Sequence, residues 1–250
     1  MSDHIVVERD GAVQTIRMNR PDKKNAITRA MYADMTTALT AADADEAIRC
    51  SVIAGVPGAF SAGNDIADFL AFATGGSLGT EVLDFLQAIT TATKPLVAAV
   101  DGLAIGIGTT ISFHCDLTFA TPRSLFKTPF VDLGLVPEAG SSLLAPRLMG
   151  HQRAFAMLAL SEGFSAEDAR DAGLVWKVVA EDAMEAEAMR HAQTIAAKPP
   201  EAMRLARDLM RGDRQPVLER IAEEARLFGE RLRSDEARAA FMAFMQKKSG

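Results

Sequence analysis

The run Ala59-Phe60-Ser61-Ala62-Gly63-Asn64-Asp65-Ile66 joins two segments of different character. Before it, Cys50 to Ala54 contains β-branched residues, which predicts a short buried strand. After it, the pattern from Asp65 to about Phe72 predicts a helix. A glycine at such a junction allows a tight turn and leaves N–H groups at the helix start unpaired, where they suit a negatively charged oxygen. A tight turn with Asp65 as the helix cap accounts for the same residues.

The same order of strand, glycine loop and helix occurs again further along the chain. A short buried strand is predicted from Pro95 to Val100, and the loop from Gly102 to Gly108 then runs into an apolar helix ending near Cys115. The glycines of this loop do not fit the dinucleotide-binding spacing, and the Gly-Lys-Ser/Thr of a phosphate loop is absent. Close packing of the following helix is the alternative explanation for these glycines. The alternation predicts an α/β fold with ligands at the strand ends.

The remaining segments extend this pattern to both ends of the chain. We predict strands and helices at the following positions: strands Ile5 to Arg9, Ala12 to Met18, Asp116 to Ala120 and Leu174 to Val179; helices Thr28 to about Asp43, Leu78 to Thr91 and most of the chain after Arg147. A boundary near Lys198 divides a core, residues 1–197, from a C-terminal helical region, residues 198–250. Opposite charges at helical spacing in that region, Arg220 with Glu224 and Glu223 with Arg226, indicate solvated helix faces.

Glu138 is the carboxylate that stands out in the middle of the chain. It lies in the run Pro137-Glu138-Ala139-Gly140, between a proline and a small turn that contains glycine. One interpretation is an exposed loop acid or a charge at a helix N-terminus. In the other, the carboxyl is embedded among apolar residues, so its pKa rises and it can act first as a base and then as an acid.

Composition excludes several classes of function. The chain has 250 residues, 48% hydrophobic and 24% charged, with a net charge of −6, which argues against nucleic acid but not against a small anionic ligand. No run approaches the roughly 18 apolar residues of a membrane span, and the first ten residues lack a secretory core, so we expect a soluble cytoplasmic protein. The histidines have no ligand spacing, so no metal site is predicted. Cys50 and Cys115 are predicted to be buried core residues.

In combination, and in chain order, these motifs resemble the crotonase (enoyl-CoA hydratase/isomerase) superfamily over essentially the whole chain. The resemblance lies in Asn19-Arg20-Pro21, Asn25-Ala26, Phe60 to Ile66, Lys94-Pro95, Asp101-Gly102, Gly106, Cys115-Asp116, Phe126, Pro129, Leu133-Gly134 and Ala172-Gly173-Leu174-Val175. It implies an α/β spiral of ββα turns with a C-terminal helical trimerisation region, assembled as a homotrimer or hexamer.

The resemblance also implies a substrate and a site. The substrate is an acyl-CoA thioester, with coenzyme A as part of it and no separate cofactor. The backbone N–H groups of Asn64 and Ile107 are expected to hold the thioester oxygen. The coenzyme A pocket is expected to be lined by Ala26, Ala62, Gly63, Asn64, Asp65 and Ile66.

Departures from the family pattern bear on the reaction. The two glutamates of a hydratase correspond here to Thr110 and Phe130, whereas Glu138 matches the acid of the Δ3,Δ2-enoyl-CoA isomerase branch. The resemblance therefore predicts that Glu138 moves a 3-enoyl-CoA double bond to the 2-trans position. Hydration of a 2-enoyl-CoA, with Glu138 positioning the water, is one alternative, and a non-catalytic acyl-CoA-binding protein is another.

Two further expectations concern the surroundings of the pocket. Its volume is expected to depend on Phe69, Phe72, Leu78 and Leu86. The C-terminal run Phe241-Met242-Ala243-Phe244, with Lys247-Lys248, either covers a neighbour's pocket or forms an amphipathic helix that packs on its own chain.

Overall fold

The computed structural model describes residues 3–65 and 79–249, and these form two sheets surrounded by helices. The predicted helix after Asp65 lies outside the described residues. So do four residues expected at the ligand pocket: Ile66, Phe69, Phe72 and Leu78.

The larger sheet has six strands in the order β1-β2-β3-β5-β7-β10. They are β1 Ile5–Asp10, β2 Val13–Met18, β3 Cys50–Ala54, β5 Leu96–Val100, β7 Leu117–Ala120 and β10 Lys177–Val178. The β1–β2 pair is antiparallel and joined by a tight turn, and the other neighbours are parallel. Every residue of β3 and β5 is buried, because helices or other strands cover both faces of a parallel sheet. The predicted strands of this sheet are confirmed, although β10 is shorter than expected.

The smaller sheet has four strands in the order β4-β6-β8-β9. They are β4 Ala59–Ser61, β6 Leu103–Ile105, β8 Leu125–Lys127 and β9 Phe164–Ser165. The sequence predicts plain loops where β4 and β6 lie, so those two predictions are wrong. Runs of three residues are too short to show an alternating pattern. Each of β3, β5 and β7 is followed by one strand of the smaller sheet, which is the repeated ββ unit of a spiral.

Ten helices are described: α1 Arg29–Ala44, α2 Glu81–Thr91, α3 Ile107–Thr110, α4 Ser141–Met149, α5 His151–Leu158, α6 Ala166–Asp171, α7 Met184–Ala196, α8 Pro200–Arg211, α9 Gln215–Leu232 and α10 Asp235–Ser249. Short 3-10 helices occur at Ile111–His114 and Val131–Leu133, among other places. Thr28 caps α1, since its side chain accepts a hydrogen bond from the Met31 N–H. The predicted α1 is therefore confirmed.

The C-terminal helices pack against the core near the end of the spiral. α9 contacts α2 and α4, and α10 contacts the 3-10 helix Val131–Leu133. Phe241 on α10 is buried within its own chain, which favours the second interpretation of the C-terminal run. Cys50 is buried as predicted, and Cys115 is half-buried. Among the described helices, none is long and apolar enough to cross a membrane.

Candidate active site

The buried side chain of Asn25 ties two loops of the site together. Its amide Nδ2 donates to the carbonyl oxygens of Ala59, at 2.8 Å, and Phe60, at 3.2 Å. Its Oδ1 accepts a hydrogen bond from the Arg20 N–H at 2.7 Å. Because all three partners are backbone groups, Asn25 fixes the path of residues 20–27 against the run 59–65. The two motifs, distant in sequence, are therefore one structural unit.

Backbone hydrogen bonds along this unit leave the Asn64 N–H without an acceptor among the described residues. The Ile27 N–H donates to Gly63 O at 2.8 Å, and the Asp65 N–H donates to Ile27 O at 2.9 Å. Asn64 lies between these partners in a parallel bridge with Ile27. Since neighbouring residues of an extended segment point their N–H groups to opposite sides, the Asn64 N–H faces away from Ile27. It has no acceptor among the described residues.

The loop after β6 supplies a second N–H of the same kind. Gly106 has φ +56° and ψ −119°, a conformation that glycine adopts readily, and its N–H donates to Lys127 O at 2.8 Å. This turn starts α3 at Ile107. The first N–H of a helix has no partner within the helix, and the Ile107 N–H bonds to no described residue.

The two loops lie against each other, backbone to backbone. An ideal Cβ atom on Gly63 would lie 3.0 Å from Ile105 O, and one on Gly108 would lie 2.8 Å from Ser61 O. Both distances are too short for an ordinary Cβ contact. The close approach brings the segments that carry the Asn64 and Ile107 N–H groups together. Two such donors can stabilise one negatively charged oxygen.

Side chains around Asn64 hold the unit in place. The Tyr32 hydroxyl donates to Asn64 Oδ1, and the buried Tyr32 ring packs against Phe85 with 5.4 Å between ring centres. Asp65 forms an ion pair with Arg20, whose guanidinium also donates to Ala26 O at 2.9 Å.

Most residues predicted for the coenzyme A pocket therefore lie in one connected unit. These are Ala26, Ala62, Gly63, Asn64 and Asp65. Their contact with coenzyme A stays a prediction.

Two cavities meet at this unit. The larger, about 810 Å³, is bordered by Ala62, Gly63, Asn64, Lys127, Phe130 and residues of α10, among others. The smaller, about 110 Å³, is bordered by Asn64, Glu138, Phe228 and apolar residues of α2 and α9, including the predicted Leu86. Asn64 and Phe228 border both. The arrangement can therefore place a thioester carbonyl near Asn64 while its acyl chain approaches Glu138.

Glu138 lies in the loop before α4 and is only 7% exposed. The Thr110 hydroxyl donates to Glu138 Oε1 at 2.7 Å. Burial raises the pKa of Glu138 from 4.5 to about 8; the Thr110 hydrogen bond opposes this rise, and the nearby charge of Glu224 adds to it. The embedded carboxyl, not the exposed loop acid, is the arrangement observed. A carboxyl with this pKa can accept and return a proton near neutral pH.

Buried His114 forms a hydrogen bond with Ala139, the residue after Glu138 in the same loop. Its Nε2 lies 2.8 Å from Ala139 O, and because a carbonyl only accepts, this nitrogen carries the proton. Burial lowers the pKa of His114 to about 4, so the imidazole is neutral at neutral pH. No sequence pattern indicates this contact, since it depends on a backbone oxygen of another loop.

Glu224 lies on the opposite side of the Glu138 loop from His114. The prediction that it belongs to a solvated helix face is wrong, because Glu224 is only 4% exposed. Its carboxylate accepts hydrogen bonds from the Gly140 N–H at 2.6 Å and the Ser142 N–H at 3.0 Å. The exposed charges do pair on the surface, but as Arg220 with Glu223 and Arg226 with Glu230.

Comparison with known proteins identifies the family of this chain. Residues 8–250 match the family described as enoyl-CoA hydratase/isomerase. A rat protein named enoyl-CoA delta isomerase 2 is 37% identical over 99% of this chain. An Escherichia coli K12 protein named 1,2-epoxyphenylacetyl-CoA isomerase is 31% identical over 100% of this chain and 98% of its own length. The solved structure of Pseudomonas aeruginosa OdaA is 42% identical with a TM-score of 0.93, covering 98% of this chain and 99% of that one.

The chain belongs to the enoyl-CoA hydratase/isomerase family, and the predicted crotonase-type α/β fold is confirmed. It spans 64% of the length of the rat relative.

The raised pKa of Glu138 predicts how stability changes with pH. Between about pH 4.5 and 8 the folded protein holds a proton on Glu138 that the unfolded chain has lost. The free energy of unfolding should therefore fall as pH rises through this window, by at most about 1.4 kcal/mol per pH unit from this group. The contribution is full below about pH 4.5 and lost above about pH 8.

Urea unfolding of wild type and Glu138→Gln across this window measures the effect. The difference between the two curves isolates Glu138 from other titrating groups, and Glu230→Gln, an exposed glutamate on α9, serves as the control. If the free energy of unfolding changed with pH in the same way in wild type and Glu138→Gln, the raised pKa of Glu138 would be contradicted.

Proposed function

We propose that this protein shifts the double bond of a 3-enoyl-CoA to the 2-trans position, with Glu138 as the proton carrier. The observation that carries the proposal is the position of Glu138. It is a buried carboxyl with a raised pKa, in an apolar cavity that it shares with Asn64. The rat relative that is named enoyl-CoA delta isomerase 2 supports the same reaction.

The reaction needs one proton carrier and one site for negative charge. The ionised Glu138 removes a proton from C2 of the substrate, and the electron pair of the broken C–H bond moves toward the thioester oxygen. The resulting dienolate oxygen accepts hydrogen bonds from the Asn64 and Ile107 N–H groups. Glu138, now protonated, returns the proton to C4, and the double bond forms between C2 and C3. One oxyanion donor contributes roughly 2.7–4 kcal/mol in other acyl-transfer enzymes.

The site is poorly suited to adding water. Thr110 and Phe130, at the positions of the two hydratase glutamates, are both buried, and the Thr110 hydroxyl is engaged by Glu138. Among the described residues that border the smaller cavity, Glu138 is the one carboxyl, and most of the others are apolar. A single base suffices to move a proton from C2 to C4, whereas activating water and protonating the product favours two groups.

Coenzyme A is expected to enter from the larger cavity. Ala62, Gly63 and Asn64 border it, and Arg20 links Ala26 to Asp65, the residue after Asn64. Ile66, the remaining residue expected at this pocket, lies outside the described residues. The size of the cavity, about 810 Å³, is compatible with the pantetheine arm of a thioester.

We further propose a homotrimer or hexamer built through the C-terminal helices. α8 exposes Leu205, Leu209 and Met210 by 48%, 85% and 80%, an apolar face that a partner would cover. Light scattering should give three or six times the 26.7 kDa of the chain. A monomer at working concentration would exclude the assembly.

The reaction is tested with two substrates and purified protein. With 3-hexenoyl-CoA we expect conversion without a change of mass, and with crotonyl-CoA little reaction. A gain of water on crotonyl-CoA would instead make the protein a hydratase. Binding of both without reaction would favour a non-catalytic acyl-CoA-binding protein.

Glu138→Gln tests the assigned residue. Removing a general acid–base group typically costs 10²–10⁴-fold in rate, so we expect a loss of roughly that size with acyl-CoA binding nearly unchanged. Glu230→Gln should keep wild-type activity, because Glu230 is exposed and pairs with Arg226. A Glu138→Gln protein that retains most activity would overturn the role.

A further inference from the structure

We propose that Glu224, on α9, is a positioning residue that holds the loop carrying Glu138 and places a negative charge behind it. This inference rests on the proposed function of Glu138. It assigns a role in the reaction to the C-terminal helical region, which sequence reasoning treated as an assembly element.

The carboxylate of Glu224 binds the loop at three points. Oε2 accepts from the Gly140 N–H at 2.6 Å, and Oε1 accepts from the Ser142 N–H at 3.0 Å and from the Ser142 hydroxyl. The Ser142 hydroxyl in turn accepts from Arg220 at 3.1 Å. A carboxylate that accepts three hydrogen bonds in a buried place is held firmly, and so are its donors.

The loop needs such support because its backbone is strained. Ala139, directly after Glu138, has φ +62°, and Gly140 has φ +70°. A non-glycine residue in the left-handed region is unfavourable and persists only where its surroundings hold it. His114 holds the Ala139 carbonyl from one side, and Glu224 holds the Gly140 N–H from the other. These two bonds hold the Ala139–Gly140 peptide unit, directly after Glu138, from opposite sides.

The charge of Glu224 acts on Glu138 as well. Around Glu138 are the Thr110 hydroxyl from α3 and apolar residues of α2 and α9. The carboxylate of Glu224, bonded to the Gly140 N–H two residues further on, is near enough for its charge to raise the pKa of Glu138. The neighbouring His114 is neutral at neutral pH. Burial raises the pKa of Glu224, and this rise is opposed by the hydrogen bonds from Ser142 and Gly140 and by the positive charge of Arg220, which favour its ionised form. A negative charge nearby makes ionisation of Glu138 harder, which helps it return the proton at C4.

The two effects of Glu224 can be separated by substitution. Glu224→Gln removes the negative charge, so Glu138 should ionise at a lower pH. Because kcat/KM depends on ionised free enzyme, its rise with pH should then move to lower pH, by about half a unit or more. Glu224→Asp keeps the charge but reaches less far, so it should lower kcat without moving the midpoint. Misplacement of a catalytic group by about 1 Å costs roughly 100-fold.

The experiment compares pH profiles of kcat/KM for wild type, both Glu224 variants and the α9 control Glu230→Gln. Thermal unfolding of each variant checks that it is folded. A lower midpoint in Glu224→Gln, with an unchanged midpoint in Glu224→Asp and Glu230→Gln, supports the inference. A loss of rate in Glu224→Gln with an unmoved midpoint would show a merely structural role and overturn it. So would full wild-type behaviour of both Glu224 variants.

A second readout works without any substrate. In protein labelled with ¹³C at the glutamate side-chain carboxyl, Glu138→Gln identifies the Glu138 signal, and its titration is followed in wild type and Glu224→Gln. A lower midpoint in Glu224→Gln supports the inference even if wild type proves to have no isomerase activity. An equal midpoint in both proteins overturns it. Failure of the proposed function and failure of this inference are therefore distinguishable.

Discussion

The site depends on one constraint above all, the close contact between two backbones at Gly63 and Gly108. A side chain at either position would meet a carbonyl oxygen of the other loop, Ile105 O or Ser61 O. The short parallel strands β4 and β6 bring the loops to this distance, since their pairing sets the register between them. The arrangement presents two N–H groups, those of Asn64 and Ile107, that have no acceptor in the described parts of the chain. Everything proposed for the thioester depends on it.

A second constraint is the burial of ionisable groups behind these loops. Glu138, Glu224 and His114 are nearly inaccessible to solvent. They differ in their hydrogen bonds and in how burial changes their pKa. Burial lowers the pKa of His114, so it stays neutral at neutral pH. Burial raises the pKa of both carboxyls, but three hydrogen bonds oppose the rise at Glu224 and a single one, from Thr110, opposes it at Glu138. Glu138, the carboxyl with fewer hydrogen bonds, is the one that borders the apolar cavity. This difference is the physical reason for assigning the proton transfer to Glu138.

The parts of the fold that sequence could predict are those with a local cause. α1 has a capping threonine and apolar residues at helical spacing, and β3 is a run of buried residues, so both were placed closely. β4 and β6 are too short to carry a pattern, and their pairing depends on distant residues. Glu138 could be recognised as a candidate, but its burial depends on α2 and α9. The sequence pattern wrongly predicts a solvated face for Glu224, because the partners of Glu224 are backbone N–H groups of another loop.

The central claim is that the Asn64 and Ile107 N–H groups bind the thioester oxygen, and its most direct test uses an unreactive substrate analogue. Hexanoyl-CoA labelled with ¹³C at the thioester carbon lacks a double bond to move, so its complex is stable. Its carbonyl stretching frequency should be lower when bound than in water, because two preorganised donors polarise the carbonyl. A bound carbonyl with the same frequency as the free thioester would contradict the account.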